Sequence, residues 1–203
     1  AYCERAAEAA MPGRVTQIRP GLIVGPRDNT DRFTYWPVRI ERGGEVLAPG
    51  KPSDLTQYID VRDLARFMVH CLEQKLAEPY NVVRNPMPFG DLLSACVETI
   101  DSDAELTWVP AEFLAEHDVQ PWRDVHLWAD SDSALAGSLA WSADKALAAG
   151  LTIRPLGDTV RDTLAWYRSL PVERQSELRA GMSRAKEASV LEAWHSSQKA
   201  ERN

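Results

Sequence analysis

Apolar and polar positions along the chain follow two periods in turn, and their order predicts alternating strands and helices. Short β-rich runs occur at "RVTQIRP", "EVLAP", "TQYIDV", "PYNVV" and "ELTWVP". Helical spacing separates them, and its clearest case is the stripe formed by Leu64, Phe67, Met68, Cys71 and Leu72, which predicts one buried helix face. This alternation predicts an α/β fold.

Helix ends are marked by the residues that usually begin or stop helices. The first helical run, "AYCERAAEAA", stops before Pro12-Gly13. Asp60 is placed to cap the helix after "TQYIDV", and Asp63 suits the positive end of that helix. Because the sequence opens inside a helical pattern and without Met, we expect it to be the remainder of a longer protein.

Composition narrows the classes of protein. The 203 residues carry a net charge of -7, which disfavours a broad nucleic-acid-binding surface. Cys3, Cys71 and Cys96 are far apart, and neither a zinc motif nor any other metal site is indicated. No apolar run approaches the roughly 18 residues of a membrane span. We therefore expect a cytoplasmic protein that binds neither metal, nor membrane, nor nucleic acid.

Four motifs, in order, carry a family resemblance: "RPGLIVGPRD", "YIDVRDLARFMV", "YNVV" and "DTLAWYRSL". Together they resemble the C-terminal portion of the NAD-dependent epimerase/dehydratase family, the extended short-chain dehydrogenase/reductases. The resemblance implies the C-terminal part of a Rossmann-type doubly wound sheet plus a smaller α/β substrate-binding lobe. It places both in residues 1–170 and leaves residues 171–203 as a charged helical extension.

The resemblance also implies a site for NAD or NADP and for a small-molecule substrate. The loop after "QIRP" borders the nicotinamide, chiefly through backbone atoms of Pro20, Gly21, Leu22 and Ile23. The expected substrate-binding residues are Arg27, Phe33, Tyr35, Trp36, Gln57 and Tyr58. For the three aromatic residues of the first loop, ordinary packing in the lobe is the other interpretation. Arg32 is the alternative to Arg27 as the contact for an anion.

Two elements of the family are missing from this sequence. It has no G-x-x-G-x-x-G turn for the pyrophosphate, and Tyr2 is not followed by a lysine at the Y-x-x-x-K spacing. We therefore expect no catalytic residue here, and no activity without an N-terminal Rossmann portion. Glu4 stands where a family glutamate follows the lysine, so we expect that lysine directly before Ala1.

Two departures from the family bear on the substrate. Leu22 stands where nucleotide-sugar enzymes carry Asn, and Gln57 ends a stretch that lacks their phosphate-binding Arg. We expect a reductase or epimerase acting on a less charged carbonyl or alcohol. A nucleotide-sensing protein and an RNA-binding relative are the non-catalytic alternatives. The sequence does not distinguish NAD from NADP, or a reductase from an epimerase or dehydratase. It does not give the oligomeric state either, and a homodimer is one alternative.

Overall fold

The computed structural model of the protein describes residues 2–201. Its α-helices are α1 (Tyr2–Ala10), α2 (Tyr35–Glu41), α3 (Val61–Glu73), α4 (Phe89–Ile100), α5 (Ala111–Glu116), α6 (Asp144–Ala148), α7 (Leu156–Arg168), α8 (Val172–Gln175) and α9 (Arg184–Glu201). Its strands are β1 (Gln17–Pro20), β2 (Ile23–Val24), β3 (Glu45–Pro49), β4 (Leu55–Thr56), β5 (Ile59–Asp60), β6 (Pro79–Val82), β7 (Met87–Pro88) and β8 (Glu105–Val109).

The strands pair two by two, and most pairs are parallel. β1 pairs with β6, β2 with β5, and β3 with β8, all in parallel, while β4 and β7 are antiparallel. Each parallel pair is joined through at least one intervening helix, which is the connection that parallel strands require. The predicted α/β class is therefore confirmed.

One predicted strand is divided. The run "TQYIDV" forms β4 and β5, which pair with different partners on either side of Gln57 and Tyr58. The carbonyl oxygen of Tyr58 accepts a hydrogen bond from the Arg84 backbone at 3.0 Å, outside both ladders. The sequence pattern could not show this break because both halves keep β-rich composition.

The two larger of three hydrophobic clusters define two regions of the molecule. The region we call the lobe is built from α2, β3, α4, β8, α7 and α9, and its core contains Trp36 packed edge-on against Phe89 at 5.2 Å between ring centroids. The region we call the β1–β6 layer is built from α1, β1, β6, α3 and α6. Its core contains Phe67 packed edge-on against Tyr80 at 5.5 Å.

Helix α3 buries less of its predicted stripe than expected. Leu64, Phe67 and Cys71 are buried, but Met68 is 47% exposed and Leu72 is 76% exposed. The buried residues lie at the i, i+3 and i+7 positions that face β6 and α6, whereas the other two lie on the side of the helix that no described element covers. The prediction of a single buried stripe is therefore wrong for these two residues.

Helix α9 is part of the lobe rather than a free tail. Val190 and Leu191 are buried in the lobe core. Glu187 forms an ion pair with the buried Arg39 of α2, with 2.6 Å between Nε and Oε2. The helical character expected for residues 171–203 is therefore present in α8 and α9. A domain boundary after residue 170 stays a prediction, and residues 1, 202 and 203 lie outside the described residues.

The start of α3 joins the two regions. The Asp60 side chain caps α3 by accepting from the Arg62 backbone at 2.9 Å, and it also accepts from Thr159 of α7 at 2.9 Å. Burial alone would raise the pKa of Asp60, but the hydrogen bonds from Arg62 and Thr159 outweigh it and lower that pKa. Asp63 accepts from Arg154 at 2.9 Å. Asp60 therefore caps α3 as predicted, and Asp63 lies in the first turn of the helix, where it binds Arg154.

Candidate functional site

The strand exit singled out in the sequence lies at the carboxyl end of β1. Gly21 follows Pro20 directly, and its backbone N–H donates to Val82 at 3.3 Å. A Cβ at Gly21 would lie 2.5 Å from Cγ2 of Val83, closer than two carbon atoms can approach. Glycine at this position therefore lets the exit of β1 lie directly against the end of β6.

The second glycine of this motif meets the second motif of the chain. Gly25 has a φ of +112°, and a Cβ there would lie 3.2 Å from Oδ2 of Asp60. A side chain would be strained in that backbone conformation and would also press on the carboxylate that caps α3. "RPGLIVGPRD" and "YIDVRDLA" are thus in contact through Gly25 and Asp60.

A cavity of about 650 Å³ opens at this strand end. Its wall includes all four residues expected to border the nicotinamide, together with Gln57. The lining residues are Arg19, Pro20, Gly21, Leu22, Ile23, Arg32, Gln57, Asn81, Val83, Trp122, Ser138, Leu139 and Trp141. The cavity has the size of small-molecule sites and lies where parallel sheets usually bind ligands.

Gln57 lines this cavity, and its amide group is hydrogen-bonded to the protein at both ends. Nε2 donates to the carbonyl oxygens of Trp141 at 2.6 Å and of Arg84 at 2.9 Å. Oε1 accepts from the Trp141 backbone N–H at 3.0 Å. Gln57 therefore holds Trp141 at the cavity wall, and a bond donated from its amide to a ligand would have to replace one of these contacts.

Tyr58 is buried beside the cavity and does not line it. Its hydroxyl oxygen accepts from Nη1 of Arg84 at 2.6 Å, and the guanidinium carbon lies 5.1 Å from the ring centroid. Burial raises the pKa of Tyr58 to about 12, although the charge of Arg84 acts in the opposite direction. The phenol is therefore neutral over the physiological pH range.

The aromatic residues of the first loop lie in the lobe core, not in the cavity wall. Phe33 and Trp36 have no exposed surface, and Tyr35 is 3% exposed. The Trp36 indole donates to the carbonyl oxygen of His126 at 2.9 Å. This corrects the expectation that these three side chains wall a pocket, because Phe33 packs against Tyr58 and Trp36 packs against Phe89 of α4. The other interpretation, packing in the lobe, describes where they lie.

The two arginines of this loop occupy different positions. Arg27 is exposed, has a φ of 74° and does not line the cavity. Arg32 lines the cavity, with its Nε donating to Oγ1 of Thr30 at 3.1 Å. Of the two cations considered from the sequence, the structure therefore brings Arg32 and not Arg27 to the pocket.

Trp122 and Trp141 supply the aromatic walls that were expected from the first loop. Trp141 is 52% exposed, and Trp122 has a φ of 64° in an irregular segment. Both belong to the aromatic-rich stretch between β8 and α6, where no periodicity predicts burial. Aromatic residues in such a stretch are the signal that could have selected them. Trp128 of the same stretch is buried, with its indole donating to Asp54 at 2.8 Å.

Other kinds of site find no support in the described part of the chain. Residues 2–201 contain no group of three or more His, Cys, Asp or Glu side chains that could hold a metal ion. Cys3, Cys71 and Cys96 are free thiols. Among the described helices, none is long and apolar enough to cross a membrane.

Comparison with known proteins relates the first part of the chain to a known family. Residues 1–83 match the model of the NAD dependent epimerase/dehydratase family. The resemblance to this family is confirmed. The matched segment contains both "RPGLIVGPRD" and "YIDVRDLARFMV", and it ends at Val83 in the cavity wall. No curated protein matches the chain.

Solved structures share the fold at low sequence identity. The UDP-glucose 4-epimerase of Thermus thermophilus in complex with NAD matches with a TM-score of 0.55 and 18% identity, over 84% of this chain and 52% of its own. WbmF of Bordetella bronchiseptica, with NAD+, matches with a TM-score of 0.59 and 15% identity, over 88% and 52%. RMD of Pseudomonas aeruginosa, with NADPH, matches with a TM-score of 0.57 and 14% identity, over 83% and 52%.

These matches establish the fold class. The chain has the Rossmann-type α/β fold of the epimerase/dehydratase enzymes and spans about half the length of the solved structures that it matches. Within that half lie the cavity, the strand exit that borders it and the lobe behind it.

Proposed function

We propose that the chain is the C-terminal portion of an NAD(P)-dependent reductase or epimerase that acts on a carbonyl or alcohol carbon. The observation that carries this proposal is the cavity at the carboxyl end of β1, whose wall joins Pro20–Ile23 to Arg32, Trp122 and Trp141. The family match supports nicotinamide chemistry, and the cavity is where a substrate would lie beside the nicotinamide. The structures matched above are complexes with NAD, NAD+ or NADPH, which supports the same class of cofactor.

The openness of the β1–β6 layer supports the view that this chain is one portion of the catalytic unit. Within residues 2–201, β1 pairs only with β6, so its second edge has no partner strand. No residue of α1 is buried, and Tyr2 is 84% exposed. An N-terminal Rossmann portion that adds a strand beside β1 would satisfy that edge and cover α1.

The residues present fit one end of the cofactor only. Gly21 exposes backbone at the cavity, and Leu22 and Ile23 add apolar surface, which suits the nicotinamide ring. The chain contains no glycine-rich turn for the pyrophosphate. When bound, the nicotinamide supplies hydride transfer. The residues of this chain would shape the substrate side of the site and exclude water, while the proton-transferring tyrosine and its lysine would come from the N-terminal portion.

The non-catalytic alternatives make different predictions for the same cavity. A nucleotide-sensing protein would bind the cofactor and turn over no substrate. An RNA-binding relative would need a basic surface, and the net charge of -7 disfavours it. Three free thiols suit a reducing cytoplasm, which we propose as the location. A homodimer stays a prediction.

The decisive experiment extends the chain upstream through its natural reading frame. We expect a lysine directly before Ala1, a tyrosine four positions earlier, and NAD(P)H oxidation with a panel of small aldehydes and ketones. The 203-residue chain alone should bind NADH and NADPH negligibly in calorimetry. An extended protein that binds the nucleotide without turnover would favour the sensing alternative. An upstream frame that lacks the lysine would overturn the proposed register.

A further inference from the structure

The charge of the cavity wall is opposite to that of the chain as a whole. The sequence holds 30 acidic and 23 basic residues, yet the lining includes Arg19 and Arg32 and no Asp or Glu. A cavity with apolar walls strengthens the field of such charges because little water screens them. The wall therefore favours a negatively charged ligand.

Only one of the two arginines is available to such a ligand. Arg19 is held by Glu4 in two hydrogen bonds, from Nε to Oε1 at 2.7 Å and from Nη2 to Oε2 at 3.0 Å. Arg32 forms no ion pair with any described residue, and its one hydrogen bond there uses Nε towards Thr30 at 3.1 Å. Its two terminal nitrogens are left to receive a bidentate anion.

The backbone directly before Arg32 is held by hydrogen bonds. Asp31 has no exposed surface, and its carboxylate accepts from Nη2 of Arg174 at 2.7 Å and from the Arg179 backbone at 2.8 Å. Earlier on the same side, Oδ1 of Asp28 accepts from the Thr30 backbone at 2.9 Å. The segment after residue 170 thus holds the loop in place. Because the loop backbone is already ordered, it should lose little conformational entropy when the Arg32 guanidinium binds a ligand.

The rest of the wall is mostly apolar, and its other polar side chains are those of Asn81, Ser138 and Gln57. Trp122 and Trp141 contribute aromatic surface, and Leu22, Val83 and Leu139 contribute aliphatic surface. Both hydrogens of the Gln57 amide are already donated to Trp141 and Arg84, so Gln57 offers a ligand no free donor. One strong anion site beside aromatic walls fits an aryl or alkyl carboxylate.

We propose that Arg32 is the specificity-determining residue of this cavity and that the substrate is an apolar small molecule bearing a carboxylate. The proposal rests on the assignment of the cavity to the substrate under the proposed function. A single carboxylate carries less charge than the paired phosphates of a nucleotide sugar, in keeping with the absence of the family's phosphate-binding arginine before Tyr58. A phosphate of the cofactor could supply similar oxygens, and the test separates the two sources.

Binding to the 203-residue chain tests the proposal without any need for turnover. The probes are 3-phenylpropionate and its neutral counterpart 3-phenylpropionamide, followed by calorimetry and by tryptophan fluorescence. We expect the carboxylate to bind at least tenfold more tightly, which corresponds to about 1.4 kcal/mol. Arg32→Gln should remove this preference and leave the affinity for the amide unchanged, and Arg32→Lys should keep part of it.

Matched variants and competitors decide what the result means. Arg161→Gln removes a surface arginine of α7 and should leave the preference intact, and circular dichroism should show that all variants are folded. Three outcomes would each overturn the proposal. The two probes could bind equally, neither could bind at millimolar concentration, or the preference could be lost in Arg27→Gln instead of Arg32→Gln. Tighter binding of phenyl phosphate, or displacement of the carboxylate by NADH, would assign Arg32 to a phosphate and overturn it too.

The outcome is independent of the test for hydride transfer. A carboxylate preference in the chain, combined with no NAD(P)H oxidation in the extended protein, would sustain this inference for a binding protein and reject the enzyme. Turnover of neutral ketones by the extended protein, unaffected by Arg32→Gln, would sustain the enzyme and reject this inference.

Discussion

The lobe and the β1–β6 layer differ in how completely the chain encloses them. In the lobe, α2, α4 and α9 surround a core that includes Phe33, Trp36 and Phe89, all without exposed surface. In the β1–β6 layer, only the side facing α3 and α6 is covered, while α1 buries no residue and β1 has one unpaired edge among the described strands. The lobe therefore resembles a complete domain with an enclosed core, whereas the β1–β6 layer resembles one part of a domain.

This difference bears on how the cavity is divided. Pro20–Ile23 come from the strand exit of the open layer, whereas Arg32 and Trp122 are attached to the enclosed lobe. A wall that is backed by a finished core can hold charged and aromatic groups in fixed positions. We therefore expect the lobe to determine which substrate is bound, and the layer to depend on an additional portion for the cofactor.

The largest effect should come from breaking the ion pair that attaches α9 to the lobe. Glu187 is buried, accepts from Arg39 at 2.6 Å and also accepts from the Leu47 backbone at 3.1 Å. Glu187→Ala leaves the guanidinium buried without a carboxylate, which should cost about 3–5 kcal/mol in the free energy of unfolding measured with urea. Glu192→Ala, on the exposed side of the same helix, should stay within about 0.5 kcal/mol of the parent.

A loss of less than about 1 kcal/mol in Glu187→Ala would contradict this account, since it would put the pair in the range of exposed ion pairs. In that case α9 would be attached by its apolar residues alone. Leu191→Ala would then become the more damaging substitution.

A second, smaller effect should appear where the chain before α9 passes Tyr35. Gly181 has a φ of +95°, and a Cβ there would lie 1.9 Å from Cδ2 of Tyr35. Gly181→Ala should therefore destabilise the lobe by about 1–3 kcal/mol through overpacking and backbone strain. Gly137→Ala is the matched control, because no atom lies within 4 Å of its added Cβ. Equal melting temperatures for the two variants would show that the close approach is absent in solution.

The lobe should also weaken in mild acid because of His126. This side chain is 5% exposed, and burial, with the nearby charge of Arg32, lowers its pKa below the ordinary 6.5, while Asp124 and Asp28 act in the opposite direction. The folded state therefore keeps His126 neutral when the unfolded chain already binds a proton. Stability should fall as the pH drops through 6.5 towards the folded pKa.

Urea unfolding at a series of pH values between neutral and mildly acidic conditions measures this loss. His126→Gln should flatten the dependence in that window, because glutamine does not titrate. An identical slope in the variant would contradict the assignment. The carboxylates with lowered pKa, such as Asp60 and Asp124, lose their contribution only in stronger acid.

The sequence predicted the elements better than their exposure. The α/β order, the cap at Asp60 and the strand exit at Gly21 follow from local chemistry, so a single sequence could indicate them. The burial of Phe33 and the exposure of Leu72 depend on which other elements cover each face, and periodicity contains no such information. The same holds for Arg27 and Arg32, since the path of the loop in the folded chain places only Arg32 at the cavity.

The sequence predicted only the part of the cavity wall that the end of β1 provides. Pro20–Ile23 were found because a family motif marks the strand end. Trp122 and Trp141 lie far along the chain, in a stretch without periodicity, and reach the cavity through tertiary contacts such as the bonds from Gln57 to Trp141. Contacts between distant segments of this kind require a structure.

The smallest effect should be found on the open face of the β1–β6 layer. Tyr2 is 84% exposed and contacts Arg5, whose guanidinium carbon lies 4.8 Å from the ring centroid. Tyr2→Ala should change the free energy of unfolding by less than about 1 kcal/mol, the range of an exposed cation–π contact. Tyr80→Ala, on the covered side of the same layer, should cost about 3 kcal/mol because it opens a cavity beside Phe67.

The difference in unfolding free energy between these two substitutions measures how much of the β1–β6 layer is covered by other parts of the protein. If α1 is as open in solution as in the structure, the two tyrosines should differ by about 2 kcal/mol or more, in line with the cost of burying an aromatic side chain. A large loss in Tyr2→Ala would mean that the α1 face is already covered. Sedimentation at several concentrations would then show whether a second copy of the chain covers it. In the extended protein we expect the effect of Tyr2→Ala to grow, because the added portion would bury this face.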